Sequence, residues 1–243
     1  MQFRLSILDL YNRELKQIKE QRALINTINA HSYNIAQRDK EFQLALQNCD
    51  ILLPDGIGVV WALRLITGKK IKKIAGSDLF NWEMERLDRT GGKCFFLGSN
   101  ESTLAKIQKR IQNDFRNVKV KTYAPTYRHT FLPEENARMI HTVNSFAPDV
   151  LFIGMTAPKQ EKWAYKHYHQ LNAGHICSIG AVFDFYAGTV KRAPKFLIDH
   201  GLEWSYRLLK EPRRMWRRYL IGIIKFTFYI TKEKFFHIYF RKQ

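Results

Sequence analysis

Short runs of apolar residues alternate along the chain with stretches in which apolar residues recur at helical spacing. The runs predict six buried strands, over residues 23–29, 50–53, 93–97, 118–123, 149–153 and 175–179. The helical spacing predicts helices over residues 12–21, 34–47, 58–65, 103–115, 133–146 and 159–169, with one more beginning at Gly76. Strands that alternate with helices of this length indicate parallel βαβ units. We therefore expect an α/β fold with a Rossmann-like, mostly parallel sheet and flanking helices.

The pattern changes at two places along the chain. The pair Gly91-Gly92 precedes the most regular alternation of strands and helices, and basic and aromatic residues dominate after residue 204. We therefore expect an α/β domain over residues 1–204, divided near residue 91. A basic, amphipathic helical appendage over residues 205–243 should follow it.

The net charge is strongly positive, and much of it lies in the appendage. The chain has 40 Lys and Arg against 22 Asp and Glu, a formal charge of +18. Residues 205–243 contain eleven basic side chains and two acidic ones, which is half of the excess. Such an excess favours a polyanionic partner, namely nucleic acid, anionic lipid or a phosphorylated substrate. The hydrophobic share of 45% indicates a folded protein rather than a disordered one.

The cysteines and the hydropathy of the chain bear on its location. Cys49, Cys94 and Cys177 are far apart and form no CxxC pair, so we interpret them as core thiols in a reducing compartment. Arg4 and Asp9 interrupt the first apolar run, which is unfavourable for a signal peptide. No run of about 18 uncharged apolar residues is present. We therefore expect a cytoplasmic protein whose membrane contact is peripheral.

A candidate catalytic residue, Asp55, lies in the PDGIG turn at residues 54–58, directly after a predicted buried strand. Loop residues at strand ends are where α/β proteins carry their chemistry, and Gly56 lets the backbone approach a ligand. Thr27 and Asn29 end the preceding strand, so we expect the two strand ends to meet near Asp55. The competing interpretation is that Asp55 only caps the following helix.

Two further strand-to-helix turns carry polar side chains. Gly76 and Asp78 start a helix, where Asp78 either contacts a ligand or caps the helix. The segment 156–163 places Gln160 and Glu161 near a strand end, either as ligand contacts or as an exposed first helical turn. The strand-to-helix turns at residues 97–100 and 154–156 are suited to phosphates, because N–H groups at a helix N-terminus have no partner within the helix.

Asp184 lies in an apolar, aromatic segment, residues 180–194. An ionised carboxylate in such surroundings needs partners, which Lys191 or Arg192 could supply. The segment is therefore either a substrate-binding block or the site of a structural ion pair between Asp184 and Arg192.

Arginines recur through the appendage, most of them at helical spacing; they are Arg207, Arg213, Arg214, Arg217 and Arg218. Guanidinium groups bind phosphates and lipid headgroups, and the neighbouring tryptophan and tyrosine suit a membrane interface. The apolar residues downstream, which lie among lysines, are typical of an interfacial segment that binds an anionic membrane surface. The alternative is a helix that packs on the core with a solvated basic face. Exposed apolar residues would also favour a homo-oligomer in the absence of a membrane.

Two familiar motifs are missing from the sequence. It contains no GxGxxG fingerprint, so a dinucleotide cofactor is not indicated. It contains no DxD pair, which a metal-assisted diphosphate site would usually need. We therefore expect no cofactor and no metal, with arginines and helix N-termini stabilising any leaving phosphate.

These blocks, in this order, resemble the WecG/TagA/CpsF family of bacterial glycosyltransferases, also called glycosyltransferase family 26. The matching segments cover nearly the whole chain and lie at residues 53–61, 74–79, 157–163, 183–194 and 201–219. The resemblance implies an inverting, metal-independent hexosyltransferase that uses a UDP-sugar donor and an undecaprenyl-diphosphate-linked acceptor. In the best-known members the transferred sugar is N-acetylmannosamine or its uronic acid. The products implied are teichoic acid linkage units and other cell-surface polysaccharides.

The resemblance also implies roles for single residues. Asp55 resembles the family's proposed general base, and Thr27 and Asn29 resemble polar residues that line the same pocket. The remaining residues expected to bind substrate are Gly56, Gly76, Asp78, Gln160, Glu161, Asp184 and Arg192. The part before residue 91 would then hold the acceptor and the base, and residues 92–204 the nucleotide sugar. The appendage resembles a segment thought to close the site against the inner face of the cell membrane.

Three alternatives are open at this point. A transferase of the same family could use UDP-glucose or UDP-glucuronate, and Lys72-Lys73 stand where the family often has arginine. A nucleic-acid-binding module would use the arginines with Trp216 and Tyr219 for phosphate and stacking contacts, although we expect no nucleic-acid partner. An NAD-dependent sugar enzyme would share the Rossmann-like part but would need the missing glycine fingerprint.

Overall fold

The structure, a computed structural model, describes residues 3–240, except for the side chains of Asp199, Arg214 and Phe240. Its six strands are β1 Ala23–Ile28, β2 Ile51–Pro54, β3 Lys93–Gly98, β4 Lys119–Tyr123, β5 Val150–Gly154 and β6 His175–Ser178. They form one sheet in the order β2-β1-β6-β5-β3-β4, and all neighbouring strands are parallel. The Rossmann-like α/β fold predicted from the sequence is therefore confirmed.

Helices cover both faces of this sheet and form the C-terminal part of the chain. They are α1 Ala30–Ala36, α2 Lys40–Gln47, α3 Ile57–Thr67, α4 Gly76–Thr90, α5 Glu101–Asp114, α6 Pro133–Phe146, α7 Lys159–His167, α8 Val182–Tyr186, α9 Lys195–Asp199, α10 Glu203–Lys210, α11 Pro212–Trp216 and α12 Gly222–Phe240. A single π-helical turn, Arg217–Ile221, joins α11 to α12. Within residues 3–240, no helix combines the length and the apolar character needed to cross a membrane.

Two predicted helices differ from the observed ones. The segment 34–47 contains the end of α1 and all of α2, because the Asp39 carboxylate accepts a hydrogen bond from the Phe42 N–H at 3.0 Å and starts a new helix. The segment 12–21 contains only a 3₁₀ turn, Leu15–Gln17. Ile18 is buried in the core from this irregular segment, so the apolar spacing reflects burial without a continuous helix.

Alternating side chains of the strands fill two apolar layers. Ile25 and Phe152 face the layer formed with α4 and α5, whereas Leu24 and Leu151 face the layer formed with α6 and α7. The three cysteines are free thiols, and two of them are fully buried, as expected for core residues. β1, from the first part of the chain, pairs with β6 from the later part. Both parts thus share one sheet, and the functional division near residue 91 stays a prediction.

The predicted helical appendage is confirmed for residues 205–240, and residues 241–243 lie outside the described chain. One face of α12 is buried through Phe226 and Ile230 in a cluster with α1 and α3. Within this contact the Glu233 carboxylate accepts hydrogen bonds from the Leu5 and Ser6 N–H groups, at 2.9 and 2.7 Å. It also accepts one from the Tyr33 hydroxyl at 2.8 Å. A buried carboxylate therefore joins the last helix to the first residues of the fold.

Candidate active site

The ends of two neighbouring strands bring Asp55 and Asn29 to the same edge of the sheet. β1 and β2 are adjacent, with Thr27 opposite Leu53 and Ile28 opposite the next residue of β2. The Asp55 N–H donates to the Ile28 carbonyl at 2.9 Å, which continues the ladder by one residue. The expected meeting of these strand ends is therefore confirmed.

Asp55 does not cap the helix that follows it. The residue before α3 is Gly56, and no side-chain hydrogen bond caps this helix. Gly56 has a φ of +105°, a backbone conformation that side chains other than glycine rarely adopt. The alternative interpretation of Asp55 as a cap is thus wrong, and the carboxyl group is available for other chemistry.

The Asp55 carboxyl is half-buried, and burial raises its pKa from the usual 3.8 to about 6. Glu203 and, more weakly, Asp78 also raise this pKa, whereas Lys73 and Arg218 lower it. A carboxylate with a pKa just below neutrality is ionised at physiological pH and still accepts a proton readily. The surroundings of Asp55 therefore suit a general base.

The C-terminal part of the chain packs directly against the Asp55 turn. A Cβ atom added at Gly201 would lie 3.0 Å from the Ile57 side chain, so the Gly201 backbone packs closely against that side chain. The Lys73 ammonium lies 3.4 Å from the carbonyl oxygen of Ile198. Burial and the nearby Arg218 lower the pKa of His31 to about 4, so this histidine is neutral at pH 7. Residues from both ends of the chain thus surround Asp55.

The predicted substrate-binding residues on the Asp55 side are all nearby but have structural partners. Thr27 is buried in β1, and the Asn29 side chain caps α1 by accepting from two backbone N–H groups at 3.0 Å. The Asp78 carboxylate accepts from the Ala75 N–H at 2.8 Å, so it does cap α4 while also facing Asp55. A Cβ atom added at Gly76 would make ordinary contacts with Ile179 and Val182, at 3.5 and 3.6 Å. Contact of these residues with a substrate stays a prediction.

Gln160 and Glu161 form a buried pair at the start of α7. The Gln160 amide donates to the Glu161 carboxylate at 2.9 Å, and both side chains are almost fully buried. The interpretation of an exposed first helical turn is therefore wrong for these two residues. Burial raises the pKa of Glu161 to about 7. Within the described residues, the Gln160 side-chain carbonyl and the second Glu161 carboxylate oxygen have no hydrogen-bond partner. The contact of this pair with a substrate stays a prediction.

Asp184 and Arg192 do not form the alternative ion pair. Arg192 instead approaches Glu203, with its Nε atom 3.7 Å from the carboxylate. Asp184 lies half-buried in α8, and its main-chain carbonyl accepts hydrogen bonds from the loop that follows. Glu203 of α10 thus interacts with Arg192 and also acts on Asp55, whose pKa it raises.

The predicted arginines divide into an inner and an outer group. Arg207 and Arg218 are half-buried, as is Arg192, whereas Arg213 and Arg217 are exposed. The side chain of Arg214 lies outside the described residues. The Nε atoms of Arg192 and Arg207 are buried and make no hydrogen bond within the described part of the chain. Buried guanidinium donors of this kind are suited to the oxygens of a phosphate group.

Sequence reasoning missed two charged neighbours of Asp55, Glu203 and Lys73. Glu203 lies in the segment 201–219 that matches the family, but its proximity to Asp55 depends on how Gly201, just before α10, packs against Ile57 of α3. No spacing rule predicts a contact between residues so far apart in the chain. In the part of the chain that the structure describes, no three His, Cys, Asp or Glu side chains are grouped to hold a metal ion.

Comparison with known proteins gives matches along most of the chain. The model of the glycosyl transferase WecG/TagA/CpsF family matches residues 4–238. A protein of Bacillus spizizenii (strain ATCC 23059 / NRRL B-14472 / W23) is 32% identical over 212 residues, which is 87% of this chain and 80% of that protein. A protein of Staphylococcus aureus (strain MW2) is 27% identical over 210 residues, 86% of this chain and 80% of that protein.

Both relatives are named N-acetylglucosaminyldiphosphoundecaprenol N-acetyl-beta-D-mannosaminyltransferase. A related protein of Bacillus subtilis (strain 168), 30% identical over 87% of this chain and 80% of its own length, has the same name. The predicted enzyme class is thereby confirmed. Since the family match extends from the residues before β1 into α12, this chain belongs to the WecG/TagA/CpsF family of glycosyltransferases.

Proposed function

We propose that this protein transfers N-acetylmannosamine, or its uronic acid, from a UDP-sugar to an undecaprenyl-diphosphate-linked sugar, with inversion at the anomeric carbon. The observation that carries the proposal is the Asp55 pocket, where a half-buried carboxylate with a raised pKa faces cationic side chains. The names of the relatives, which specify a lipid-linked acceptor and an N-acetylmannosaminyl group, support the choice of substrates.

The proposed reaction is a single displacement. Asp55 takes the proton of the acceptor hydroxyl while the hydroxyl oxygen forms a bond to the anomeric carbon of the donor sugar. The bond from that carbon to the UDP oxygen breaks, and its electron pair leaves with UDP. Two arginines are proposed to bind the departing diphosphate: Arg207, whose buried Nε has no hydrogen-bond partner within the described residues, and Arg192, whose Nε lies 3.7 Å from the Glu203 carboxylate without a hydrogen bond. No metal is required in this scheme.

The acceptor lipid and the basic appendage together suggest where the enzyme acts. We propose that it binds peripherally to the inner face of the cell membrane, in the synthesis of a cell-surface polysaccharide such as teichoic acid. Its exposed arginines, Arg213 and Arg217, lie in the segment that joins the active site to α12 and would contact anionic headgroups.

A UDP-release assay tests the proposed function. The full-length protein is mixed with single UDP-sugars and a lipid-diphosphate-linked N-acetylglucosamine acceptor, with and without EDTA. We expect release of UDP with UDP-N-acetylmannosamine or its uronic acid, and no effect of EDTA. Release only with UDP-glucose or UDP-glucuronate would change the donor and keep the enzyme class. No release with any donor, together with salt-dependent binding of DNA or RNA, would overturn the proposal.

The pH dependence of turnover tests the role of Glu203. Because Asp55 acts as a base only when ionised, kcat/KM should fall below an apparent pKa near 6. Glu203→Gln removes a negative charge that raises the pKa of Asp55, so this acid limb should move to lower pH. Glu85→Gln, which changes an exposed carboxylate on α4, should leave the profile unchanged. An identical profile for Glu203→Gln and the wild type would contradict the electrostatic link.

A further inference from the structure

Helices α3 and α12 lie side by side and run in the same direction. A Cβ atom added at Gly58, near the start of α3, would lie 3.8 Å from the Phe226 ring of α12. Near the end of α3, the Lys234 ammonium of α12 lies 3.4 Å from the Ile66 carbonyl oxygen. Eight residues separate the two contacts on each helix, so the helices stay in register along their length.

The flank of α3 that faces α12 carries two large apolar side chains. Trp61 and Leu65 follow Gly58 by three and seven residues, which places all three on one side of the helix. Since Gly58 faces α12, Trp61 and Leu65 lie along the same junction. Both side chains are more than half exposed, at 64% and 56%. The core of the domain therefore leaves this flank uncovered.

The outer face of α12 carries a second exposed apolar surface. Ile224, Phe228, Phe235 and Tyr239 are spaced by four, seven and four residues, so they form one stripe opposite the buried side of the helix. Their exposed fractions lie between 64% and 71%. We call Trp61, Leu65 and these four residues of α12 the apolar platform.

The charges around the platform have one sign. The exposed charged residues on α3 and α12 within the described chain are Arg64, Lys225 and Lys232, all of them basic. The carboxylate of Glu233 is buried and binds the N-terminal segment. Large apolar residues bordered by cations, with a tryptophan at the edge, fit the interface of an anionic bilayer.

We infer that α3 and α12 form one membrane-binding surface, in which Trp61 and Leu65 of the catalytic domain enter an anionic bilayer beside the outer stripe of α12. This inference rests on the proposed function and adds to it, because the basic appendage alone is no longer the whole membrane contact. α3 begins two residues after Asp55, and the helix rises only about 6 Å between Ile57 and Trp61. The platform therefore holds the candidate base close to the headgroup layer, where a lipid-linked diphosphate sugar lies.

Vesicle binding by the full-length protein tests the inference. Trp61→Ser combined with Leu65→Ser should weaken co-sedimentation with phosphatidylglycerol-containing vesicles by roughly tenfold or more, because two large apolar side chains no longer enter the bilayer. Tyr127→Ser, which removes a fully exposed aromatic ring beyond the far edge strand β4, is the matched control and should bind as the wild type does. Lys225→Gln with Lys232→Gln should weaken binding to anionic vesicles and leave binding to phosphatidylcholine vesicles unchanged.

Two results would overturn the inference. One is unchanged vesicle binding by the Trp61 and Leu65 double variant. The other is a lipid-free dimer that the double variant converts to a monomer while vesicle binding stays the same, since the platform would then bind a second copy of the chain. Turnover with a short-chain, water-soluble acceptor is measured in parallel and should be unchanged in the double variant. If the wild type binds vesicles through the platform but shows no turnover with any donor, the proposed function fails and the membrane surface stands.

Discussion

Asp55→Asn is expected to lower kcat/KM by about 10²–10⁴-fold, the usual contribution of a general base. Asparagine has nearly the same shape but cannot take a proton from the acceptor hydroxyl. The turn itself should be preserved, because the Asp55 N–H still donates to Ile28 and Gly56 still provides the unusual φ. UDP release at pH 7.5 measures the effect, and Asp9→Asn, at an exposed position, is the matched control.

The same substitution should stabilise the protein at neutral pH. In the folded state the pKa of Asp55 is about 6, above the usual 3.8, so ionisation costs more when the chain is folded. This cost is absent below the unfolded pKa, grows between the two values and is fully present above pH 6. Asp55→Asn should therefore melt at a higher Tm than the wild type at pH 7.5 and at a similar Tm near pH 4. An inactive variant with a lower Tm at pH 7.5 would indicate a structural role for Asp55 instead.

Glu233→Ala is expected to lower the free energy of unfolding by about 3 kcal/mol, since three donors, two of them buried, lose a carboxylate acceptor. These donors are the N–H groups of Leu5 and Ser6 and the hydroxyl of Tyr33. Burial, the largest cause of the raised pKa of Tyr33, persists in the variant, so its hydroxyl stays protonated and keeps only the longer bond to the Phe3 carbonyl, at 3.4 Å. Urea denaturation measures the effect.

Hydrogen exchange shows whether the loss is local. Amides of α12 and of residues 3–8 should exchange faster in Glu233→Ala than in the wild type, while those of β3 and β5 change less. Glu233→Gln should be intermediate, because one amide oxygen replaces two carboxylate oxygens. Glu85→Ala, on the exposed face of α4, should change neither quantity. Equal stability of Glu233→Ala and Glu85→Ala would contradict an anchoring role.

Local signals in the sequence were sufficient for the strands and for the position of Asp55. Apolar runs such as 149–153 end at glycine or polar residues, and each of the six predicted runs is a strand of the sheet. Parallel pairing of β1 and β2 then brings the Asn29 and Asp55 ends together. The extent of the helices was less predictable, because a cap at Asp39 divides one continuous apolar pattern into two helices.

Contacts between distant segments were not predictable from the same signals. An ion pair between Arg192 and Asp184 was the alternative interpretation of the segment 180–194, yet Arg192 lies near Glu203 of α10. Gln160 and Glu161 were expected near the substrate because they open a helix. Their burial depends on the packing of α7 against the sheet, which spacing alone does not reveal.

The position of Glu203 and Arg218 beside Asp55 has a consequence for protein synthesis. A nascent chain carries Asp55 early, but Glu203 and Arg218, which adjust its pKa, are made much later. After them α12 must still reach the N–H groups of Leu5 and Ser6. A ribosome-bound chain that stops before α10 would contain the candidate base without these partners. Turnover of the nucleotide sugar should therefore begin only after translation has passed the appendage, and unfinished chains should not consume the donor.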